Sequence, residues 1–329
     1  MKIARAFLVL LLGTLLFACG DKKPDAKTPT TEPGMDDALA LLPGQPIMVG
    51  TVDARAFFGS KTFGAELAKL VEQYFPIGQE AGFQASRDVD RVTFASYSYQ
   101  GVDASAVIIG KFDEAKIKEA AAMQTPIKGN NVIVASKYMD RDLYTVSNVG
   151  FTILSSTHAI AGTEAGIRRV LERIKDKRVK RDIPQWMLQT VETPGAAAAV
   201  AGDFATQPLP QELSRQIPMP FVQNMKAIRI VATFKEPGLQ LASSMTYPDA
   251  QAANTASESV RQAAGLSKWL ALVGIEIQNV EVGVDKADVQ LKLAVDDKSL
   301  RQVLASAPQW IGPPPQSPAP SANGSTGGK

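Results

Sequence analysis

The chain is poor in the residues that most site chemistry needs. It has one cysteine, Cys19, and one histidine, His158, in 329 residues. A lone cysteine excludes an internal disulfide, and with a lone histidine it excludes H-E-x-x-H and paired-cysteine zinc sites. There is no G-x-x-x-x-G-K-[ST] loop, no G-x-G-x-x-G turn, no G-x-S-x-G elbow and no S-x-x-K pair. Phosphate-cradling loops and the common serine acyl-enzyme frameworks therefore lack their local signatures. No cofactor and no metal is implied.

A surplus of one charge is missing too. Lys and Arg number 35 and Asp and Glu 33. Lys2 and Arg5 are the only charges in residues 1–18, so residues 19–329 carry 35 − 2 = 33 basic against 33 acidic groups. A general nucleic-acid binder needs a basic surplus to displace counterions, so none is expected as a partner. Beyond residue 19 no apolar run approaches the ~20 residues that a spanning helix requires.

What the chain does have begins at its first residue. Lys2 and Arg5 precede an apolar run from Ala6 to Ala18, too short to span a bilayer and of signal-peptide length. The run closes on Leu16-Phe17-Ala18-Cys19-Gly20. This segment resembles the lipobox of bacterial lipoproteins: an aliphatic residue, a tolerant position, a small residue, then cysteine. The resemblance covers about the first twenty residues and none of the body. It implies that Cys19 receives a diacylglyceryl group on its sulfur, that the leader is cut between Ala18 and Cys19, and that the new amino group is then acylated. Two acyl chains already anchor stably where one is marginal, so the membrane is the implied partner. Gly20 rather than Asp after the cysteine resembles an outer-membrane address. A lipidated Cys19 would leave no thiol in the mature chain.

Composition then divides the rest. Residues 19–35 hold the cysteine and a Pro-, Lys- and Thr-rich tether able to reach roughly 50 Å at ~3.3 Å per residue. Residues 312–329 are Pro, Ser and Gly without periodicity, and a disordered tail is expected. Between them, residues 36–192 and 193–311 each read as strand pair, Asp- or Thr-capped helix, twice over. The expectation is α+β: two tandem, possibly duplicated domains of antiparallel sheet with helices packed on one face, divided near Thr190 to Gly195. One continuous sheet without duplication is the alternative, because side-chain identities repeat poorly between the halves.

The expected elements rest on pattern. Leu67, Leu70, Val71 and Tyr74 have helical spacing, as do Ile167, Val170, Leu171 and Ile174. Asp113 and Thr163 are expected N-caps, and Pro248-Asp249 and Asp296 expected helix starts. A short helix is expected over Gln211–Ile217.

Candidate chemistry is thin. His158 with Ser155 and Asp142 nearby is the only possible triad, against a solvated or capping histidine. Asp36-Asp37, Asp88 with Asp90, Asp140 with Asp142, and Asp296-Asp297 supply paired carboxylates, without an EF-hand pattern. The strongest feature is basic: Arg168, Arg169, Arg173, Lys175, Lys177, Arg178, Lys180 and Arg181 crowd one helix end. Cations there complement the helix dipole and can be a plain solvated face. They can also meet anionic lipid head groups or cell-wall polymer. The reading is a non-catalytic, lipid-anchored envelope protein with a binding or scaffolding body; a carrier of apolar ligands in a cleft is the alternative, and an unrecognised hydrolase comes third.

Overall fold

The computed structural model describes residues 36–75, 77–98, 103–124, 132–146, 149–209, 220–235, 238–265 and 277–311. The leader, Cys19, the tether, the tail and the helix expected at Gln211–Ile217 lie outside these residues.

Twelve strands form one antiparallel sheet. In chain order they are β1 (Met48–Asp53), β2 (Val89–Ser98), β3 (Asp103–Gly110), β4 (Val134–Tyr138), β5 (Arg141–Val146), β6 (Val149–Ser155), β7 (His158–Gly162), β8 (Ala198–Asp203), β9 (Ala227–Lys235), β10 (Gly238–Thr246), β11 (Ile277–Asp285) and β12 (Asp288–Asp296). The spatial order is β11-β12-β10-β9-β8-β1-β2-β3-β7-β6-β5-β4. Nearly every strand pairs with its chain neighbour; the seam is β1 against β8, with Gly50 opposite Val200.

The helices among the described residues are α1 (Ala38–Leu41), α2 (Ala54–Phe58), α3 (Gly64–Tyr74), α4 (Ala85–Asp88), α5 (Glu114–Ala122), α6 (Glu164–Lys175), α7 (Gln185–Val191), α8 (Ala250–Gly265) and α9 (Asp297–Ile311). Their starts follow the sequence. Asp113 accepts from the Lys116 N–H at 3.1 Å and Thr163 from Gly166 at 3.1 Å. Asp249 accepts from Ala252 at 2.8 Å and Asp296 from Ser299 at 2.7 Å. Each satisfies an N–H that the first helical turn leaves without a partner.

Two expectations need correction. The halves do not build separate sheets, because β1 and β8 bury both of their faces and so cannot act as exposed edges. And the helices cover both faces. Val49, Ala95, Tyr97, Val107, Ile160 and Ala201 point to one side and pack with α1, α6 and α7. The alternate residues point to the other side. There Phe151 and Ala159 meet α5, Val52 and Ala198 meet α3 and α9, and Val200 and Val289 meet α8.

Next to the expected boundary near residues 190–195, α7 braces the seam. Met187, Leu188 and Val191 of α7 are buried against the seam, and burying one such side chain stabilises by ~1.5–3 kcal/mol. Thr51 Oγ1 donates to the Val191 carbonyl at 2.8 Å, and the Arg229 guanidinium of β9 lies 5.1 Å from the Trp186 ring centre. One helix thus touches strands from both halves. Gly166 lets α6 close onto β3: a Cβ there would sit 2.3 Å from the Ala104 carbonyl oxygen.

Candidate functional site

A cleft of about 640 Å³ opens where α1, the end of α7 and strands β1 to β3 converge. Its walls carry Asp36, Asp37, Asp53, Glu192, Arg91 and Arg181, with Thr51 and Thr93 on the floor. The charges are mostly spoken for. Arg181 bridges Asp37 at 2.7 Å and Glu192 at 2.8 Å. Asp53 lies 3.6 Å from Arg91 and also caps α2 through the Ala56 N–H at 2.9 Å. Asp37 in turn caps α1, accepting from Leu39 at 3.1 Å. The lining is a polar, ion-paired surface, unlike the apolar walls that a lipid-sized ligand would occupy.

This cleft lies where the body begins. Residues 38–42, near the start of the described chain, are buried in the core. Arg173 fixes them: its Nη2 donates to the Ala40 carbonyl at 3.2 Å and to the Lys180 carbonyl at 2.8 Å. Arg173 is only 8% exposed, so a charge predicted for the surface is a buried clamp. Tyr97, whose hydroxyl donates to the Pro43 carbonyl at 3.1 Å, holds the next turn of the same segment. Burial pushes the pKa of that hydroxyl up.

The basic cluster divides under the same inspection. Arg168 pairs with Glu164 and lies 4.5 Å from the Tyr138 ring centre. Arg169 bridges Asp103 at 2.6 Å and lies 4.4 Å from the Tyr97 ring centre. Arg178 bridges Asp176 at 2.8 Å. With Arg173 and Arg181 this makes five cations engaged within the chain. Lys175, which ends α6, and Lys177 and Lys180, on the loop that Arg173 and Arg181 tie to the start of the body, are exposed.

The possible triad is not assembled. His158 belongs to β7, a strand the sequence pattern did not reveal, and is buried. Its Nδ1 meets Thr157 Oγ1 at 2.9 Å, and that hydroxyl also meets Ser155 Oγ at 3.2 Å. Thr157 therefore stands between the serine and the imidazole. Asp142 is held by Lys137 at 3.0 Å and Lys118 at 3.1 Å, and these contacts keep its carboxyl below the usual range. Burial lowers the His158 pKa, opposed by the Asp36 carboxylate.

The paired carboxylates have structural partners as well. Asp88 accepts from Arg87 Nη2 at 2.6 Å and from the Gln84 N–H at 2.8 Å. Burial alone would raise its pKa, yet those hydrogen bonds prevail and lower it. Asp90 pairs with Arg55, and Asp140 sits in the β4–β5 turn. Among the described residues no group of three His, Cys, Asp or Glu side chains could hold a metal ion, and no helix is long and apolar enough to cross a membrane.

The fold is thus that of an α+β protein built on one long antiparallel sheet. In fold it is similar to TP0453 of Treponema pallidum. Crystal form III of that protein matches with a TM-score of 0.55 at 8% identity, covering 82% of this chain and 98% of that one. Form IV matches with a TM-score of 0.51 at 9% identity, covering 82% and 96%. No protein-family model matches the chain, and no curated protein matches it in sequence. At these identities the likeness is one of fold alone.

Proposed function

We propose that the chain is a lipid-anchored protein of the bacterial envelope whose body is a non-catalytic binding or scaffolding module. The observation that carries this is the sequence Leu16-Phe17-Ala18-Cys19 behind a charged, apolar leader. The Gly20 that follows favours the outer membrane. Two features of the body support an anchored role. The first described segment, which holds Ala40 and Pro43, is clamped into the core by Arg173 and Tyr97, so a pull on the anchored end would meet a fixed point. Lys175 at the end of α6 and Lys177 and Lys180 on the loop tied to that point form the side we assign to anionic head groups or cell-wall polymer. Each such cation near an anionic membrane contributes ~1 kcal/mol.

Scaffold and carrier differ in what travels with the protein. Native mass spectrometry of the full chain extracted from envelope membranes in mild detergent separates them. The scaffold reading expects the mass of the chain and its covalent acyl groups, with no lipid retained in stoichiometric amount. One non-covalent lipid per chain, surviving detergent exchange, overturns it in favour of the carrier. The polar lining of the cleft beside α1 supports the first outcome.

A further inference from the structure

The sheet ends in two edge strands of opposite character. Edge β11 is broken by a bulge between Gln278 and Glu281 and presents Glu281 and Asp285 to solvent. Bulges and charges are how edges avoid pairing with other chains. Edge β4 (VASKY) has no proline, no bulge and one charge, Lys137, which Asp142 neutralises at 3.0 Å. The exposed large hydrophobic residues of the described chain also gather at this edge. Val134 begins β4 and is 57% exposed; Val132 (37%) precedes it; Val149 (42%) opens β6; Met123 (68%) follows the last residue of α5, which packs on β4. Among the described residues no strand pairs with the outer side of β4, and such an edge beside exposed apolar side chains marks an interaction surface.

The hairpin geometry says which groups of β4 are free. Met139 and Asp140 form its two-residue loop with φ of 50° and 64°, the left-handed pair of a type I′ turn. In such a hairpin the flanking residues, Tyr138 and Arg141, form a hydrogen-bonded pair, and the pattern alternates from there. Val134, Ser136 and Tyr138 therefore bond to β5, and the N–H and C=O groups of Ala135 and Lys137 point outward.

We propose that β4 pairs antiparallel with β4 of a second copy, about a two-fold axis at Ser136. Only that register sets Ala135 opposite Lys137 of the second copy twice over, so all four outward N–H groups find carbonyls. It also sets each Val134 opposite Tyr138 of the other copy, a favourable β-branched and aromatic pair. No lysine faces a lysine. The contact is small, so it is a weak association in dilute solution and gains from confinement to a surface.

A single cysteine tests the register. In this pairing the two Ser136 residues form the non-hydrogen-bonded pair, with Cα atoms about 4.5 Å apart, inside the disulfide range. The Val134 residues stand roughly 14 Å from each other, four residues out of register at ~3.4 Å each, beyond that range. Full-length Ser136→Cys and Val134→Cys are oxidised in the membranes of the producing cell with copper–phenanthroline, which accepts the two electrons as the thiols lose their protons. The expected result is cross-linked dimer at 136 exceeding that at 134 by about tenfold or more, as those distances require. Ala135→Pro added to Ser136→Cys removes an outward N–H without touching the β4–β5 ladder, and the dimer disappears while the unfolding temperature holds. The confinement rests on the proposed anchor, so recovery of the chain in the membrane fraction is checked first, and mass mapping of the linked peptide distinguishes a 136–136 bridge from any bridge at Cys19. Equal yields at 134 and 136, no dimer at 136, or linkage of 136 to a different protein overturns the proposal.

Discussion

A carboxylate placed at Ala201 unfolds both halves of the chain together. Ala201 is fully buried on β8, in one cluster with Val49 of β1, Ala95 of β2 and Met187 and Leu188 of α7. Ala201→Asp puts a charge among those apolar side chains; the cation opposite it on β9, Arg229, is exposed and held over the Trp186 ring, and a buried charge that it leaves unpaired costs about 4 kcal/mol or more. That is a large share of the ~5–15 kcal/mol by which a folded domain is stable. The cost falls on the seam, so hydrogen exchange should accelerate in β2 and β3 and in β9 and β10 alike. A variant in which one half exchanges fast and the other keeps wild-type protection would show two independent domains, contrary to a shared sheet.

Arg173→Met loosens the entry of the chain into the body. The substitution keeps an unbranched apolar stem but removes the donors to the Ala40 and Lys180 carbonyls. Hydrogen bonds from a charged group contribute ~1.5–3 kcal/mol, and buried acceptors left without donors cost on the same scale. A loss of about 3 kcal/mol is expected in urea unfolding, together with new protease cleavage within residues 36–45. Unchanged stability would mean that the buried guanidinium contributes no more than an apolar side chain of similar length. The replacement of buried charges by hydrophobic residues is sometimes neutral in that way.

Much of the fold was legible because it is local. Strand pairs such as β2 with β3 and β9 with β10 follow each other along the chain, and Asp113, Thr163 and Asp296 start their helices as capping chemistry requires. What could not be read was long-range. The pairing of Gly50 with Val200 joins residues 150 positions apart, and nothing in MVGTVD or AAVAGD names its partner. Helix α7 escaped because seven residues with two glutamines and a threonine give little periodicity. Strand β7 escaped because His158 reads as polar, although it is buried.

The site was less legible than the fold, for a physical reason. Runs of like charge look alike in sequence whether their partners are near or far. Arg169 finds Asp103 and Arg181 finds Asp37, 66 and 144 residues away, so only the tertiary fold separates these from Lys175, Lys177 and Lys180. The clamp by Arg173 is invisible for the same reason, since its acceptors are backbone carbonyls.

The anchor is the claim on which the envelope reading stands, and it concerns one atom, the sulfur of Cys19. Intact and peptide mass analysis of the protein recovered from the membranes of its own cells tests it directly. The account predicts a chain starting at Cys19, heavier than its polypeptide by a diacylglyceryl group and an amide-linked acyl chain. A chain still carrying Met1 to Ala18, or one starting at Cys19 with a free thiol, would contradict it.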